Sequence, residues 1–225
     1  MILLNNGLLR ISWNDIEKFS EEEVTYFLSL EGKSTEALCK IRGLSREEVQ
    51  RHLIEGKIKY RYLAKSKTIQ ELFDTLCRLP KDEKLTLLSA LKLEVKEKLL
   101  VFINGQYVNI PTKEKETAIW VLGELRSESS LGILQKAVVH KHTNIRRMAV
   151  SALGKIGDMA SQNALIRALE DENPQVVSYA IKALQKLKSD KALPKIESVY
   201  HNAEKDYVKR AAKEYLDAVI KEVKN

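Results

Sequence analysis

Cysteine is nearly absent from this 225-residue chain: only Cys39 and Cys77 occur, with 37 residues between them. That count excludes a disulfide framework and a cysteine-built zinc site, and two reduced thiols in a cytoplasmic protein are expected. Proline (four) and glycine (nine) are scarce, which leaves little room for long loops. No run of about 18 apolar residues occurs, so neither a membrane-spanning helix nor a membrane partner is expected. The opening stretch MILLNNGLLRISWNDIEKF has no basic n-region and no long apolar core, and does not read as a signal peptide. Glycine-rich phosphate loops, nucleophile elbows and paired-carboxylate motifs are missing. His52, His140, His142 and His201 show no metal-ligand spacing tied to carboxylates. No metal, cofactor, small-molecule substrate or catalytic activity is therefore expected.

What the chain does have is charge (31%) and helix-forming residues, with aromatics at only 6%. That composition suits an all-α protein. The net charge of +7 is unevenly spread: residues 1–39 carry −4, residues 40–67 carry +6, residues 68–111 balance, and residues 112–225 carry +5. The strongest local field therefore comes from fewer than thirty residues.

From Thr112 onward the sequence repeats with a stride of 31. Ala118, Ala149, Ala180 and Ala211 form one column. Leu122, Leu153 and Leu184 form the next, closed by Tyr215, and Leu125, Ile156, Leu187 and Ala218 a third. A second set runs Leu134, Leu165, Ile196; Ala137, Ala168, Val199; and Val138, Leu169, Tyr200. A fixed period of this size signals a stacked array. Within a unit, positions 118, 122 and 125 make one helical stripe and positions 134, 137 and 138 make another, so each unit is an antiparallel helix pair. Helices approach closely only where side chains are small, which accounts for the alanine column. Gly123 and Gly154 each cost roughly 1 kcal/mol of helix propensity against alanine, and close packing is the expected return. One pair cannot bury its apolar face alone, so neighbours stack.

The segment NIRRMAVSALGKIGDMASQNALIRALEDENPQVVSYAIKALQKL, residues 144–187, resembles the HEAT repeat in its short bacterial form. The resemblance covers about half the chain. It implies an α-solenoid and leaves function nearly open, because this repeat serves many tasks.

Before the repeats, Ser20 with Glu23, Ser45 with Glu48 and Thr68 with Glu71 read as capping boxes that open helices. Residues 32–53 resemble the helix-turn-helix of response regulators and sigma factors, through Gly32, Lys33, Ser34, Gly43, Leu44, Ser45, Val49, His52 and Leu53. The second helix is expected to end near Glu55, packed on the first by Leu38, Ile41, Leu44, Val49 and Leu53. Asn104-Gly105 is expected to turn the chain.

These readings predict an all-α protein, a small helical module over 1–67 preceding an α-solenoid over 68–225. The solenoid divides into a degenerate repeat 68–111, repeats 112–142, 143–173 and 174–205, and a terminal helix 206–223. The predicted function is a non-enzymatic binding protein or adaptor, and two partner classes stand open. On one reading Arg46, Gln50 and Arg51 enter a DNA major groove, where arginine reads guanine and glutamine reads adenine, while Lys57, Lys59, Arg61 and Lys65 sit on phosphates. On the other, the chain is a scaffold for a protein partner alone. In the array, Lys136 and Arg167 on the second helices, with Arg146 and Arg147 on the first, are the candidate surface positions.

Overall fold

The computed structural model describes residues 3–223, with side chains described for residues 6–219. The chain divides into two compact units, 1–102 and 103–225. The sequence pattern alone suggests a boundary after residue 67, whereas residues 68–102 lie in the first unit. This stretch stays with the first unit because helix α5 (Lys81–Ala90) packs on helix α3 (Arg46–Lys65).

The first unit begins with an element the periodicity did not mark. Strands β1 (Leu3–Asn6) and β2 (Leu9–Ser12) pair antiparallel, with Asn6 opposite Leu9. Gly7 opens the two-residue turn at φ +61, where a side chain would meet the Ser66 carbonyl oxygen at 2.5 Å. The next amide, Leu8 N–H, donates to the carbonyls of Leu63 (3.0 Å) and Ser66 (2.8 Å). The hairpin turn thus satisfies carbonyls that the C-terminus of α3 would otherwise leave unpaired.

Helices α1 (Glu21–Leu30), α2 (Thr35–Arg42) and α3 follow. The capping boxes at Ser20/Glu23 and Ser45/Glu48 form in both directions. Gly43, at φ +65, ends α2 in the left-handed conformation that glycine adopts without strain. Helix α3 does not end near Glu55: it runs 20 residues, straight through Gly56. A Cβ on Gly56 would overlap Cβ and Cγ of Tyr26, so the missing side chain is what lets α1 press on α3. Leu38 and Val49 are buried between the helices as expected, but Ile41 is exposed.

Helix α4 (Ile69–Arg78) shows half of the third capping box. Thr68 Oγ1 accepts from Glu71 N–H at 3.1 Å, but the Glu71 carboxylate reaches back one residue further, to Lys67 N–H at 2.7 Å. Pro80 separates α4 from α5, and α6 (Leu93–Gln106) follows. Asn104 and Gly105 lie inside α6 rather than in a turn.

The second unit is built from helix pairs. Helices α7 (Thr112–Glu124) and α8 (Leu131–Ala137) form the first, α9 (Thr143–Ile156) and α10 (Gln162–Arg167) the second, and α11 (Pro174–Lys186) and α12 (Leu193–Asn202) the third. Helix α13 (Asp206–Val223) packs on α11 and α12. Asn173 caps α11 by accepting from Gln175 N–H at 2.9 Å, with Pro174 at its first position. The alanine column 118, 149, 180 and 211 is buried at every position, as are Leu134, Leu165 and Ile196.

Two glycines make the first two seams close. A Cβ on Gly123 would meet the Ala152 Cβ at 2.8 Å, and one on Gly154 would meet the Ala183 Cβ at 2.8 Å. Both pairs keep the stride of 31, so the same close approach recurs. One step further the pair becomes Gln185 and Glu214, joined by a bond from Gln185 Nε2 to the Glu214 carbonyl at 3.3 Å. In the leucine column Tyr215 is buried at that third seam, its hydroxyl donating to the Ser189 carbonyl. The class is thus all-α with one added hairpin, an α-solenoid of stacked helix pairs.

Candidate interaction surfaces

Helix α3 carries all seven cations and amides that the sequence marked for nucleic acid. Arg46, Gln50, Lys57 and Arg61 are spaced to share one stripe of the helix. Along the axis, at 1.5 Å per residue, Arg46 and Lys65 lie about 28 Å apart, more than twice the roughly 12 Å width of a DNA major groove. They do not form a single compact site.

Carboxylates hold three of these cations. Lys59 Nζ meets Glu23 Oε1 at 2.6 Å, on a different side of the helix from the stripe. Arg61 Nη2 meets Glu83 Oε2 at 2.6 Å and also donates to the Tyr62 hydroxyl. Arg46 lies 3.9 Å from Glu36. No ion pair among the described residues engages Lys57 or Lys65. Between these charges the outer face exposes Ile54 (61%) and Ile58 (58%), which offer nothing to a phosphate. His52, part of the helix-turn-helix resemblance, is buried with Nδ1 3.1 Å from Thr25 Oγ1.

In the second unit Lys136 and Arg167 are exposed at equivalent places on α8 and α10. Arg147 lies over the Tyr179 ring, 5.9 Å from its centroid. Arg146 is not a surface residue at all. It is 8% exposed, and its guanidinium forks onto Asp171, Nε to Oδ2 at 2.6 Å and Nη2 to Oδ1 at 2.9 Å. Nη2 also reaches Glu172 at 3.1 Å, while Nη1 donates to the carbonyls of His140 (3.1 Å) and Lys141 (3.4 Å). The side chain therefore ties the loop before α9 to the loop before α11. Hydrogen bonding to Asp171 raises its pKa beyond the ordinary arginine value, so it stays charged.

A cleft of about 560 Å³ lies one seam further on. Leu169, Val177, Val199 and Val208 give it apolar walls, and Glu170, Glu172, Glu204 and Lys205 also line it. Lys195 also lines it, bonded to Glu170 at 2.5 Å. Val199 and Tyr200, whose counterparts Ala168 and Leu169 are buried, are only half-buried here. Nothing in the sequence columns marked this opening, because Val199 and Tyr200 continue them with apolar residues.

The family model for HEAT repeats matches residues 111–177 and 158–217. The chain carries HEAT repeats over residues 111–217. Among solved structures, this HEAT-repeat chain is similar to a designed armadillo repeat protein in complex with peptide (KR)4. Identity is 19% and the TM-score 0.50, covering 89% of this chain and 100% of that one. It is also similar to an engineered protein at 14% identity and a TM-score of 0.52, covering 90% of this chain and 98% of that one. Both likenesses show the fold. A comparison with curated proteins gives no match. No described helix is long and apolar enough to cross a membrane.

Proposed function

We propose that this HEAT-repeat protein is a non-catalytic docking scaffold for a protein partner. The cleft at the third seam carries the reading: it is open, walled by apolar side chains and lined by charge as well, which suits a peptide segment better than a flat surface does. Repeat arrays commonly bind through such extended surfaces. A protein of the same fold, the designed armadillo repeat, engages a peptide, which supports the general choice of partner. On α3, the exposed Ile54 and Ile58 beside Lys57 also fit a protein contact better than a nucleic-acid track.

The test is capture from a nuclease-treated host extract by the immobilised full chain, with Ser198→Trp to obstruct the cleft and Ile54→Glu to spoil the α3 face. A partner should survive nuclease treatment and be lost with one of these variants. If instead nuclease abolishes capture, and the chain binds duplex DNA in a salt-dependent manner weakened by Arg51→Ala and Lys57→Ala, α3 is a nucleic-acid surface and the proposal fails.

A further inference from the structure

We propose that the third-seam cleft is an arginine receptor which the chain leaves to its partner: it takes the guanidinium side chain of an arginine in a peptide segment. This rests on the docking reading above and names what docks.

The repeat supplies its own comparison. At the second seam the slot between successive loops is filled by Arg146, held by the carbonyls of His140 and Lys141 and by the side chains of Asp171 and Glu172. Adding the stride of 31 to each of these positions gives Val177 for the arginine, Asp171 and Glu172 for the carbonyls, and Asn202 and Ala203 for the side chains. All five of these residues line the cleft. The slot therefore recurs, but the residue in the arginine position is a valine, too short to cross it.

The acceptors are in place. The carbonyls of Asp171 and Glu172 receive no backbone N–H among the described residues. Asn202 uses its Nδ2 on Ser198, on the carbonyl at 2.9 Å and on Oγ at 3.3 Å, which leaves its Oδ1 as an acceptor toward an incoming donor. An arginine brings five donors in a planar fork and no acceptor. Its three-carbon stem matches the apolar walls at Leu169, Val177 and Val208. Lys195 does not fill the slot, because Glu170 holds it. At about 560 Å³ the cleft exceeds one side chain, so it accommodates the flanking residues of a peptide as well.

The test titrates N-acetyl-arginine amide into the full chain and follows the methyl signals of Val177, Val199 and Val208 and the side-chain amide of Asn202 by NMR. N-acetyl-citrulline amide, isosteric and uncharged, is the control. The arginine compound should move these signals and citrulline should not. Asn202→Asp, which restores the carboxylate of the second seam, should tighten binding on the order of tenfold. Val177→Arg, which supplies the guanidinium from within the chain, should abolish it, and Ser198→Trp, at an exposed position, should do the same without touching the core. No arginine-specific shift, or binding that survives both obstructing variants, overturns the receptor. Partner capture that persists while the arginine probe gives no shift removes the receptor and leaves the scaffold. Arginine binding without any captured partner does the reverse.

Discussion

A Cβ placed on Gly154 would stand 2.8 Å from the Cβ and 3.2 Å from the Cα of Ala183 on the neighbouring helix. Backbone, not a flexible side-chain tip, blocks that space. Gly154→Ala should therefore lose about 1–3 kcal/mol to overpacking, although alanine regains up to about 1 kcal/mol of helix propensity. In a chain of this length, each kcal/mol moves the melting temperature by roughly 2–4 °C. Gly105→Ala, in α6 with nothing near its added Cβ, should be neutral or slightly stabilising and serves as the control in the same thermal melts.

Gly56→Ala makes a harsher demand. Its Cβ would overlap the Tyr26 side chain at Cβ and Cγ, close to the backbone, where the ring cannot swing clear. The loss should exceed that of Gly154→Ala and separate α1 from α3. Tyr26 also stacks on Tyr60, ring centroids 6.2 Å apart, so the near-ultraviolet circular dichroism of the tyrosines should change along with the melting temperature.

Arg146→Ala strands the Asp171 carboxylate, whose side chain is only 7% exposed. Breaking one half of a buried pair costs about 3–5 kcal/mol. Arg146→Lys keeps the charge without the fork and should fall between the two. Replacing both residues, as Arg146→Met with Asp171→Leu, should recover much of the loss, and denaturant titrations of the native protein, Arg146→Met, Asp171→Leu and the double variant give the coupling.

Acid should weaken the first unit through Glu23. Burial pushes its carboxyl up, but the Lys59 ammonium, the Tyr60 hydroxyl and the Ser20 N–H together hold it below the ordinary value of 4.5. A carboxyl lowered by folding contributes stability above its unfolded pKa and loses it as pH falls through the folded one. The difference in stability between the native protein and Glu23→Gln should thus be largest above pH 4.5 and shrink below it, as circular dichroism melts across that range would show.

The stacked helices were legible because the apolar positions obey one stride, and burial at Ala118, Ala149, Ala180 and Ala211 follows from it. The hairpin is only faintly marked: Asn6 belongs to β1 and pairs with Leu9, so the turn is Gly7-Leu8 and its one local signal is glycine at the first central position. Helix α3 runs past the expected end near Glu55 for a physical reason: a glycine that weakens an isolated helix is an asset where a tyrosine packs on the backbone, as Tyr26 does at Gly56. Arg146 misled for another. It looks solvent-bound on its own helix, and its burial depends on Asp171, 25 residues away in the next loop. No helical period carries that information. The cleft was hidden in the same way, because it arises from what Val177 and Asn202 do not supply to each other.

The seams of the second unit are not equally tight. Two of them set glycine against alanine, backbone nearly touching backbone, while the last sets Gln185 against Glu214 with side chains as spacers. In a stack held by nearest neighbours, disassembly starts where adhesion is least, and here that is α13. Its amides should exchange with deuterium before those of α9, as a partial opening that leaves the other pairs intact. A ligand lodged against Val208 would clamp that same rod, so occupancy would announce itself as slowed exchange at the far end of the array.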